Sequence, residues 1–427
     1  RNVCLFAHIY NDLMTFTIVF LIAFIASFGL RHWLSQRQIR HVAQHRHAVP
    51  AEFAEKVTLA EHQKAADYTI AKLRLGVIEN GVSAIILIGF TLLGGLQILN
   101  LALLQLLGEG IPQQIALLVS IVVISGIIDI PFSWYKQFHL EERFGFNRMT
   151  KKLFFSDMLK GMGVGGAIGV PLLWIILSLM AKAGDLWWLW AWGVLTAFSL
   201  LMQWIFPTFI APIFNKFVAL DDGPLKTQIE ALLKRCDFAS QGLFVMDGSK
   251  RSAHGNAFFA GMGKAKRIVF FDTLLSRLTK DEIIAVLAHE LGHFKLRHVT
   301  WMFITQALVS AVFLFGLDAL QSRMEVLSVL GLEAASGQGR HALLLLSLYW
   351  LLPPALFFLK PLGSALSRRR EFQADAFAVQ HAQAPDLRNA LIKLYKGNSS
   401  TLTPDPLYVW FHHSHPPALD RLRQLHV

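Results

Sequence analysis

Two histidines and one glutamate that lie close together in the sequence are the residues best suited to chemistry. They read His289-Glu290-Leu-Gly-His293, and the pair Thr279 and Glu282 upstream predicts the N-terminus of the helix that carries them. Histidines four residues apart on a helix face the same way, so both can bind one zinc ion. The adjacent Glu290 can take a proton from a zinc-activated water that attacks a carbonyl group. The alternative is two core histidines that match this pattern by chance.

A zinc ion that catalyses hydrolysis needs a third protein ligand and one open position. A histidine six residues after the motif is excluded because Val299 occupies that position, and His298 is one residue out of phase. A glutamate on a second helix remains, and Glu371, which we expect to open such a helix, meets this requirement. Asp375 shares its helical face and can accept a hydrogen bond from a ligand histidine. The alternative is a solvated acidic pair opposite the arginines at 368–370.

The composition places these residues in a membrane protein. The chain has 427 residues, of which 54% are hydrophobic and 16% charged, whereas a soluble domain has about 45–50% apolar and about 25% charged residues. A soluble multidomain protein, a disordered chain and a disulfide scaffold are therefore excluded. Cys4 and Cys236 form no metal-type pair, which excludes thiolate zinc and iron–sulfur sites. The net charge of +11 is typical of basic cytoplasmic loops, so we predict no nucleic-acid partner.

Seven stretches are long and apolar enough to cross a bilayer, which needs roughly 20 mostly apolar residues. Lysine and arginine are abundant in the first, third and fifth connections and after residue 366, and they are scarce in the other connections. By the positive-inside rule, the basic connections and the C-terminus face the cytoplasm, and the N-terminus faces the other side. Cys4 and Cys236 then lie on opposite sides. The predicted spans are 13–30, 81–107, 114–134, 163–182, 187–211, 301–320 and 341–366.

The segment 214–300 is too long and too polar to be a simple connection. Its pattern predicts a helix at 225–235 and short strands at 242–247 and 267–271, hence a small α+β unit at the cytoplasmic face. The predicted fold class is a mainly α-helical, polytopic membrane protein with about seven transmembrane helices and this unit. The predicted organisation is about five spans at 1–213, the metallopeptidase unit at 214–300, two spans at 301–366 and a cytoplasmic segment at 367–427 that completes the zinc site.

The segment 161–166 matches the G-x-G-x-x-G pattern of dinucleotide-binding proteins. No strand precedes it, and it opens an apolar stretch, so we predict no nucleotide binding. The spacing of Gly161, Gly165 and Gly169 favours close packing against another helix in lipid.

Several ordered blocks besides the zinc motifs make the sequence resemble the type I CAAX prenyl endopeptidases, an integral-membrane family of zinc metallopeptidases with seven membrane helices. The resemblance covers most of the chain after the first helix. The blocks are 135–138 with 142–147, 207–217, 248–258, the two zinc motifs, and 412–417 followed by Arg421.

The resemblance implies roles for further residues. The segment from His254 to Phe258 would be an edge strand that binds an extended substrate, with His254, Asn256 and Ala257 as substrate-binding residues. His415 would be a catalytic residue that stabilises the oxyanion, and Arg421 would be a basic partner of the metal ligands. In the family, the membrane helices enclose a chamber with the zinc site at its cytoplasmic side.

We therefore predict a membrane-embedded zinc endopeptidase with one Zn²⁺ per chain. The ligands are His289, His293 and Glu371, and Glu290 is the catalytic base. The resemblance implies C-terminal CAAX processing of peptide or protein substrates that carry a prenyl group, in the endoplasmic reticulum or a bacterial inner membrane. Alternatives are a quality-control metalloprotease for membrane proteins and a transporter or receptor with a relic zinc site.

Overall fold

The structure is a computed structural model that describes residues 2–260, 266–321 and 340–425. Most of these residues are helical, and seven helical stretches among them are long and apolar enough to cross a membrane. The prediction of a mainly helical chain with seven spans is therefore confirmed. The candidate spans are Thr17–His45, Leu59–Phe90, Ile111–Glu141, Lys151–Lys182, Gly184–Phe214, His298–Ala319 and Arg340–His381.

The first half of the chain is a series of long helices with short connections. Two of them begin at a threonine whose hydroxyl accepts a hydrogen bond from the backbone: Thr58 at the start of the second helix and Thr150 at the start of the fifth. π-Helical turns extend two of these helices at Lys136–Glu141 and Phe206–Ile210. The helices are α1 (Asn2–His45), α2 (Leu59–Phe90), α3 (Gly95–Leu107), α4 (Ile111–Tyr135), α5 (Lys151–Lys182) and α6 (Trp187–Ile205).

The predicted span at 81–107 is wrong as a single helix. The chain leaves the helical conformation after Phe90, and Gly94 has a φ of 74°, in the left-handed region that favours glycine. A Cβ atom on Gly95 would lie 2.7 Å from the carbonyl oxygen of Gly89, so only glycine fits this turn. α2 also begins at Leu59, far before the predicted start, because a membrane helix continues as a polar helix beyond the part that its apolar residues mark.

The segment after α6 forms the predicted α+β unit. Its four strands are ordered β1-β2-β4-β3, with β2 and β4 parallel and the other neighbours antiparallel. β3 is therefore at an edge of the described sheet. The elements are α7 (Ala211–Phe214), β1 (Phe217–Ala219), α8 (Pro224–Arg235), β2 (Leu243–Met246), β3 (Ala257–Ala260), β4 (Arg267–Phe271), α9 (Asp272–Leu275) and α10 (Lys280–Lys295).

The rest of the chain adds two apolar helices and a helical C-terminal segment. Buried apolar residues of the α+β unit and of this C-terminal segment form one continuous core, which includes Ile229, Phe270, Ile283 and Leu391. The C-terminal helices are thus part of the same folded unit as the sheet. The helices are α11 (His298–Gln321), α12 (Arg340–Leu356), α13 (Lys360–His381), α14 (Ala384–Gly397), α15 (Pro406–His412) and α16 (Ala418–Gln424).

Other sequence predictions have mixed outcomes. The segment 161–166 lies inside α5, so it lacks the strand and turn of a dinucleotide site. The predicted close packing at Gly161, Gly165 and Gly169 is wrong for the described chain, because a Cβ atom on any of them would meet nothing within 4 Å. Most of the connection at 321–340 and the side chain of Cys4 lie outside the described residues.

Candidate metal-binding active site

Helix α10 carries the His-Glu-x-x-His segment in a fixed position. The Thr279 hydroxyl accepts from the backbone N–H of Glu282, and the Glu282 carboxylate accepts from the backbone N–H of Thr279, which completes the predicted capping box. Ile283, Leu287 and Leu291 are almost fully buried, which attaches one side of α10 to the core of the α+β unit. The motif is therefore held on a rigid helix.

Helix α13 brings the second motif to the first. Glu371 and Asp375 are both buried, one turn apart. The prediction that Glu371 opens its helix is wrong, because α13 begins at Lys360 and places Glu371 in its middle. The two helices approach closely where Gly292 of α10 faces Ala374 of α13. A central position on a packed helix leaves the Glu371 carboxylate little freedom to move.

The structure brings His289, His293 and Glu371 together. One ligand atom from each lies within 4.8 Å of the others, a grouping that could hold a metal ion. The Nε2 atom of His289 is 3.5 Å from Glu371 Oε2, and the Nε2 atom of His293 is 3.3 Å from Glu371 Oε1. Two neutral nitrogens and a carboxylate form a donor set that suits zinc.

Asp375 and Arg421 orient the first histidine. The Nδ1 atom of His289 lies 2.8 Å from Asp375 Oδ1, so this nitrogen donates a proton to the carboxylate and Nε2 faces Glu371. Arg421 in turn donates to both oxygens of Asp375, at 2.8 Å from Nε and 2.5 Å from Nη2. The hydrogen bonds to Asp375 outweigh the effect of burial and raise the pKa of Arg421, so this guanidinium stays charged.

His298 and Gln373 orient the second histidine, and the sequence prediction missed both. The Nδ1 atoms of His293 and His298 are 3.0 Å apart, and His298 Nε2 is 3.1 Å from Gln373 Oε1. Since the amide oxygen can only accept, His298 donates from Nε2, accepts at Nδ1 and so receives the proton of His293. The Nε2 lone pair of His293 is then directed at Glu371. His298 is excluded as a metzincin-type ligand by its spacing, yet that spacing places it beside His293.

The charges at the site favour a bound cation. Glu371 Oε2 is buried without a well-oriented hydrogen-bond donor among the described residues, although His415 Nδ1 lies 2.8 Å from it. Burial opposes protonation of His289, but Asp375 and Glu371 outweigh it and raise its pKa to about 9. A buried carboxylate that favours the charged form of a neighbouring histidine would also favour a bound metal cation at the same position. The residues present therefore fit a divalent metal.

A cleft of about 250 Å³ opens onto these groups. Its walls include Glu290, His415 and Arg421, together with Asn256 and Ala257 at the start of β3. Burial raises the pKa of the Glu290 carboxyl, which brings it towards the neutral range where a general base works best. The structure thus places four of the predicted catalytic and substrate-binding residues around one cavity, together with Arg421, the predicted partner of the metal ligands.

His254 lies just before the edge strand rather than in it. Its Nε2 atom is 3.5 Å from Glu141 Oε2, and its Nδ1 atom is 3.3 Å from Asn398 Oδ1, which also accepts from the backbone N–H of Gly255 at 3.2 Å. The ring stacks on Phe146 at 4.3 Å between centroids. The edge strand predicted at His254–Phe258 begins only at Ala257. Glu141 and Asn398 are further residues that the sequence prediction missed.

Comparisons with known proteins agree with this architecture. Residues 38–216 match the family profile described as the CAAX prenyl protease N-terminal region with five membrane helices, and residues 219–427 match peptidase family M48. The chain is similar to the crystal structure of Ste24p from S. mikatae, with a TM-score of 0.90 and 31% sequence identity over 96% of this chain and 99% of that one.

Curated relatives carry the same family name. CAAX prenyl protease 1 of Saccharomyces cerevisiae is 33% identical over 94% of this chain and 93% of its own length. The human CAAX prenyl protease 1 homolog is 36% identical over 74% of both chains, and the Arabidopsis thaliana homolog is 39% identical over 73% of both. The chain therefore belongs to the type I CAAX prenyl endopeptidases, multi-pass membrane metallopeptidases of peptidase family M48.

Proposed function

We propose that the metal is zinc and that His289, His293 and Glu371 bind it. The observation that carries the proposal is the grouping of their three ligand atoms within 4.8 Å, beside a cleft that Glu290 lines. Two histidines and one glutamate are the ligands of several catalytic zinc sites, and they leave one coordination position open. Asp375 supports the proposal because a carboxylate partner is common for ligand histidines.

Glu290 is the proposed general base and acid of peptide hydrolysis. A zinc ion would supply Lewis acidity, which polarises the peptide carbonyl and makes a water molecule acidic. Glu290 accepts a proton from the attacking water and donates it to the departing amine. His415, on the wall of the same cleft, donates a hydrogen bond to the carbonyl oxygen as negative charge develops there. Arg421 supports the site through Asp375.

The substrate is proposed to bind as an extra strand on β3. Ala257 begins this edge strand and lines the cleft with Asn256, so an extended peptide paired with β3 passes directly over Glu290. His254 holds the beginning of the strand in place through Glu141 and Asn398.

CAAX-type C-terminal processing of a prenylated protein or peptide is the proposed reaction. The support is the similarity to relatives whose names carry this activity, over most of the chain. The distribution of basic residues supports a zinc site on the cytoplasmic side of the endoplasmic reticulum or a bacterial inner membrane.

The test is a cleavage assay with the purified full chain and two substrates. One substrate is a prenylated CAAX peptide, and the other is an unprenylated fragment of a membrane protein. We expect wild-type protein with stoichiometric zinc to cleave the prenylated peptide, and a chelator to abolish cleavage. Glu290→Gln should bind zinc normally and lose cleavage by at least a thousandfold, whereas Glu230→Gln, at an exposed position of α8, should cleave normally.

Each outcome separates one hypothesis from the others. Cleavage that persists in Glu290→Gln or with chelator contradicts the metallopeptidase mechanism. Zinc-dependent cleavage of the unprenylated fragment alone supports a quality-control protease and contradicts the CAAX proposal. Stoichiometric zinc without any cleavage supports the transporter or receptor hypothesis.

A further inference from the structure

A second and larger cavity adjoins the catalytic cleft. Its volume is about 760 Å³, and it lies between α1, α2 and the C-terminal segment. Its walls and those of the cleft share Tyr395, Asn398, Ser400 and His415. A peptide that leaves the cleft on this side therefore enters the larger cavity without crossing another element.

The larger cavity is positively charged. Lys72 and Arg31 lie in its wall, and none of the residues that line it is an aspartate or a glutamate. In the part of the chain that the structure describes, no carboxylate forms an ion pair with either of them. His412 and His413 also line the cavity, but burial and neighbouring cations lower the pKa of each to about 4, so both are neutral at pH 7. Such a surface suits an anionic group.

Lys72 lies towards the end of the cleft where β3 begins. Its Nζ atom is 4.9 Å from the ring centroid of Tyr68. The Tyr68 hydroxyl donates to Glu141 Oε1 at 2.6 Å, and the other oxygen of Glu141 is 3.5 Å from His254 Nε2. His254 is two residues before Asn256, so this chain of contacts links the lysine to the start of the edge strand.

The direction of the substrate then decides which of its ends faces this lysine. An added strand pairs somewhat more stably when antiparallel, and an antiparallel peptide on β3 has its C-terminal end beside Asn256, where β3 begins. Residues after the cleaved bond therefore run towards the larger cavity. Three extended residues reach about 10 Å, and the shared wall places the cavity directly after the cleft.

We propose that Lys72 binds the C-terminal carboxylate of the peptide substrate. The inference rests on the proposed function. Arg31 is the weaker candidate because it also lines a third cavity, of about 350 Å³, which shares no wall residue with the cleft. Its guanidinium also stacks over Phe357 at 4.2 Å.

The test measures peptide binding separately from cleavage. A fluorescent prenylated CAAX peptide is prepared with a free C-terminal acid and with a C-terminal amide, and both are titrated into the full-length Glu290→Gln protein. We expect the acid to bind about tenfold more tightly than the amide. Adding Lys72→Gln should weaken the binding of the acid to the affinity of the amide and leave the binding of the amide unchanged. Adding Lys72→Arg instead should keep most of the difference in affinity between the two peptides. Arg74→Gln is the matched control, since Arg74 is an exposed residue of α2 outside the cavity wall.

Three results would overturn the proposal. The first is that the acid and the amide bind with equal affinity, and the second is that Lys72→Gln weakens the binding of both peptides equally. The third is that Arg31→Gln, rather than Lys72→Gln, abolishes the difference in affinity between acid and amide. Cleavage by wild-type protein is measured in parallel. A preference for the acid that depends on Lys72 but is accompanied by no cleavage supports the carboxylate site and contradicts the proposed peptidase function. If wild-type protein cleaves both peptides and the acid and the amide bind with equal affinity, the result supports the proposed peptidase function and contradicts the carboxylate site at Lys72.

Discussion

Gly292 of α10 lies directly against Ala374 of α13. A Cβ atom on Gly292 would lie 3.1 Å from the Cα atom of Ala374 and 3.1 Å from the Cβ atom of Phe377, which is closer than most such contacts. The two metal-binding motifs flank this contact, with His289 and His293 on one helix and Glu371 on the other. The absence of a side chain at Gly292 therefore sets the distance between the proposed ligands.

Replacing Gly292 with alanine should push the two helices apart. The added methyl group overpacks the contact with Ala374, which typically costs about 1–3 kcal/mol of folding free energy, and it separates the ligand atoms. We expect a lower thermal midpoint and at least tenfold weaker zinc binding, measured by chelator competition. Gly363→Ala on the same helix as Ala374 is the control, since a Cβ atom there meets nothing within 4 Å. Unchanged zinc affinity in Gly292→Ala would contradict this role of the contact.

Asp375→Asn should weaken metal binding without unfolding the protein. The variant keeps the size of the side chain but replaces the charged acceptor of the His289 proton, and loss of such a partner typically costs 10–100-fold in metal affinity. We expect zinc affinity to fall by that amount in the same competition assay. Asp222→Asn is the control, because Asp222 pairs with Lys226 at the surface, where an ion pair contributes little. Equal zinc affinity in the two variants would show that Asp375 does not support the site.

His298→Ala tests the unexpected partner of the second ligand. Without His298, the Nδ1 proton of His293 loses its acceptor at 3.0 Å, and the ring can rotate or change tautomer. Zinc affinity should fall about tenfold, and the peptidase rate at saturating zinc should fall less. His47→Ala, at an exposed position, should leave both quantities unchanged. If His298→Ala keeps the wild-type zinc affinity, the contact between His298 and His293 does not support metal binding.

The sequence predicts the residues that carry the chemistry better than it predicts the helix boundaries and side-chain partners that position them. The capping pair at Thr279 and the histidine spacing follow local rules, so the helix and the orientation of its ligands could be predicted. The start of α13 could not be predicted. The apolar stretch ends before the arginines at 368–370, yet these arginines lie within the same helix as Glu371. A change in polarity marks where lipid ends, and it does not mark where a helix ends.

Side-chain partners that are distant in sequence were beyond prediction. Gln373 lies 75 positions from His298, and Asn398 lies 144 positions from His254. Only the packing of α13 on α10, and of the end of α14 on the start of β3, brings these pairs together. A glutamine or asparagine alone carries no sign of such a role in its local sequence, whereas the acidic pair of Glu371 and Asp375 does, through its spacing.

Asn398→Ala should weaken substrate binding and leave the metal in place. Its side-chain oxygen accepts from the backbone N–H of Gly255, directly before Asn256, and contacts the ring of His254. Loss of this support lets the start of β3 move, so we expect KM to rise severalfold while zinc content stays at one per chain. The control is Asn389→Ala on α14, because the Asn389 side chain accepts a surface hydrogen bond from Lys56 and lines neither the cleft nor the larger cavity. A fall in kcat with unchanged KM would contradict a positioning role.

Two neighbouring histidines at the end of α15 give the folded protein a defined pH dependence. Burial is the main cause that lowers the pKa of His412 and His413 to about 4, and the cations Lys360, Arg31 and Arg368 lower it further. The ordinary histidine pKa is about 6.5, which is the value expected in the unfolded chain. Between pH 4 and 6.5 the unfolded chain therefore binds protons at these positions that the folded protein does not.

The free energy of unfolding should accordingly fall as the pH is lowered from about 6.5 to about 4, and these two residues should add no slope above pH 6.5. Replacing both His412 and His413 with glutamine removes the titrating groups, so the thermal midpoint of this variant should decline less steeply across that range. The measurement is a series of melting curves in detergent for the full chain, with the exposed His47→Gln as control. A double variant whose midpoint falls as steeply as that of the wild-type protein would contradict the assignment.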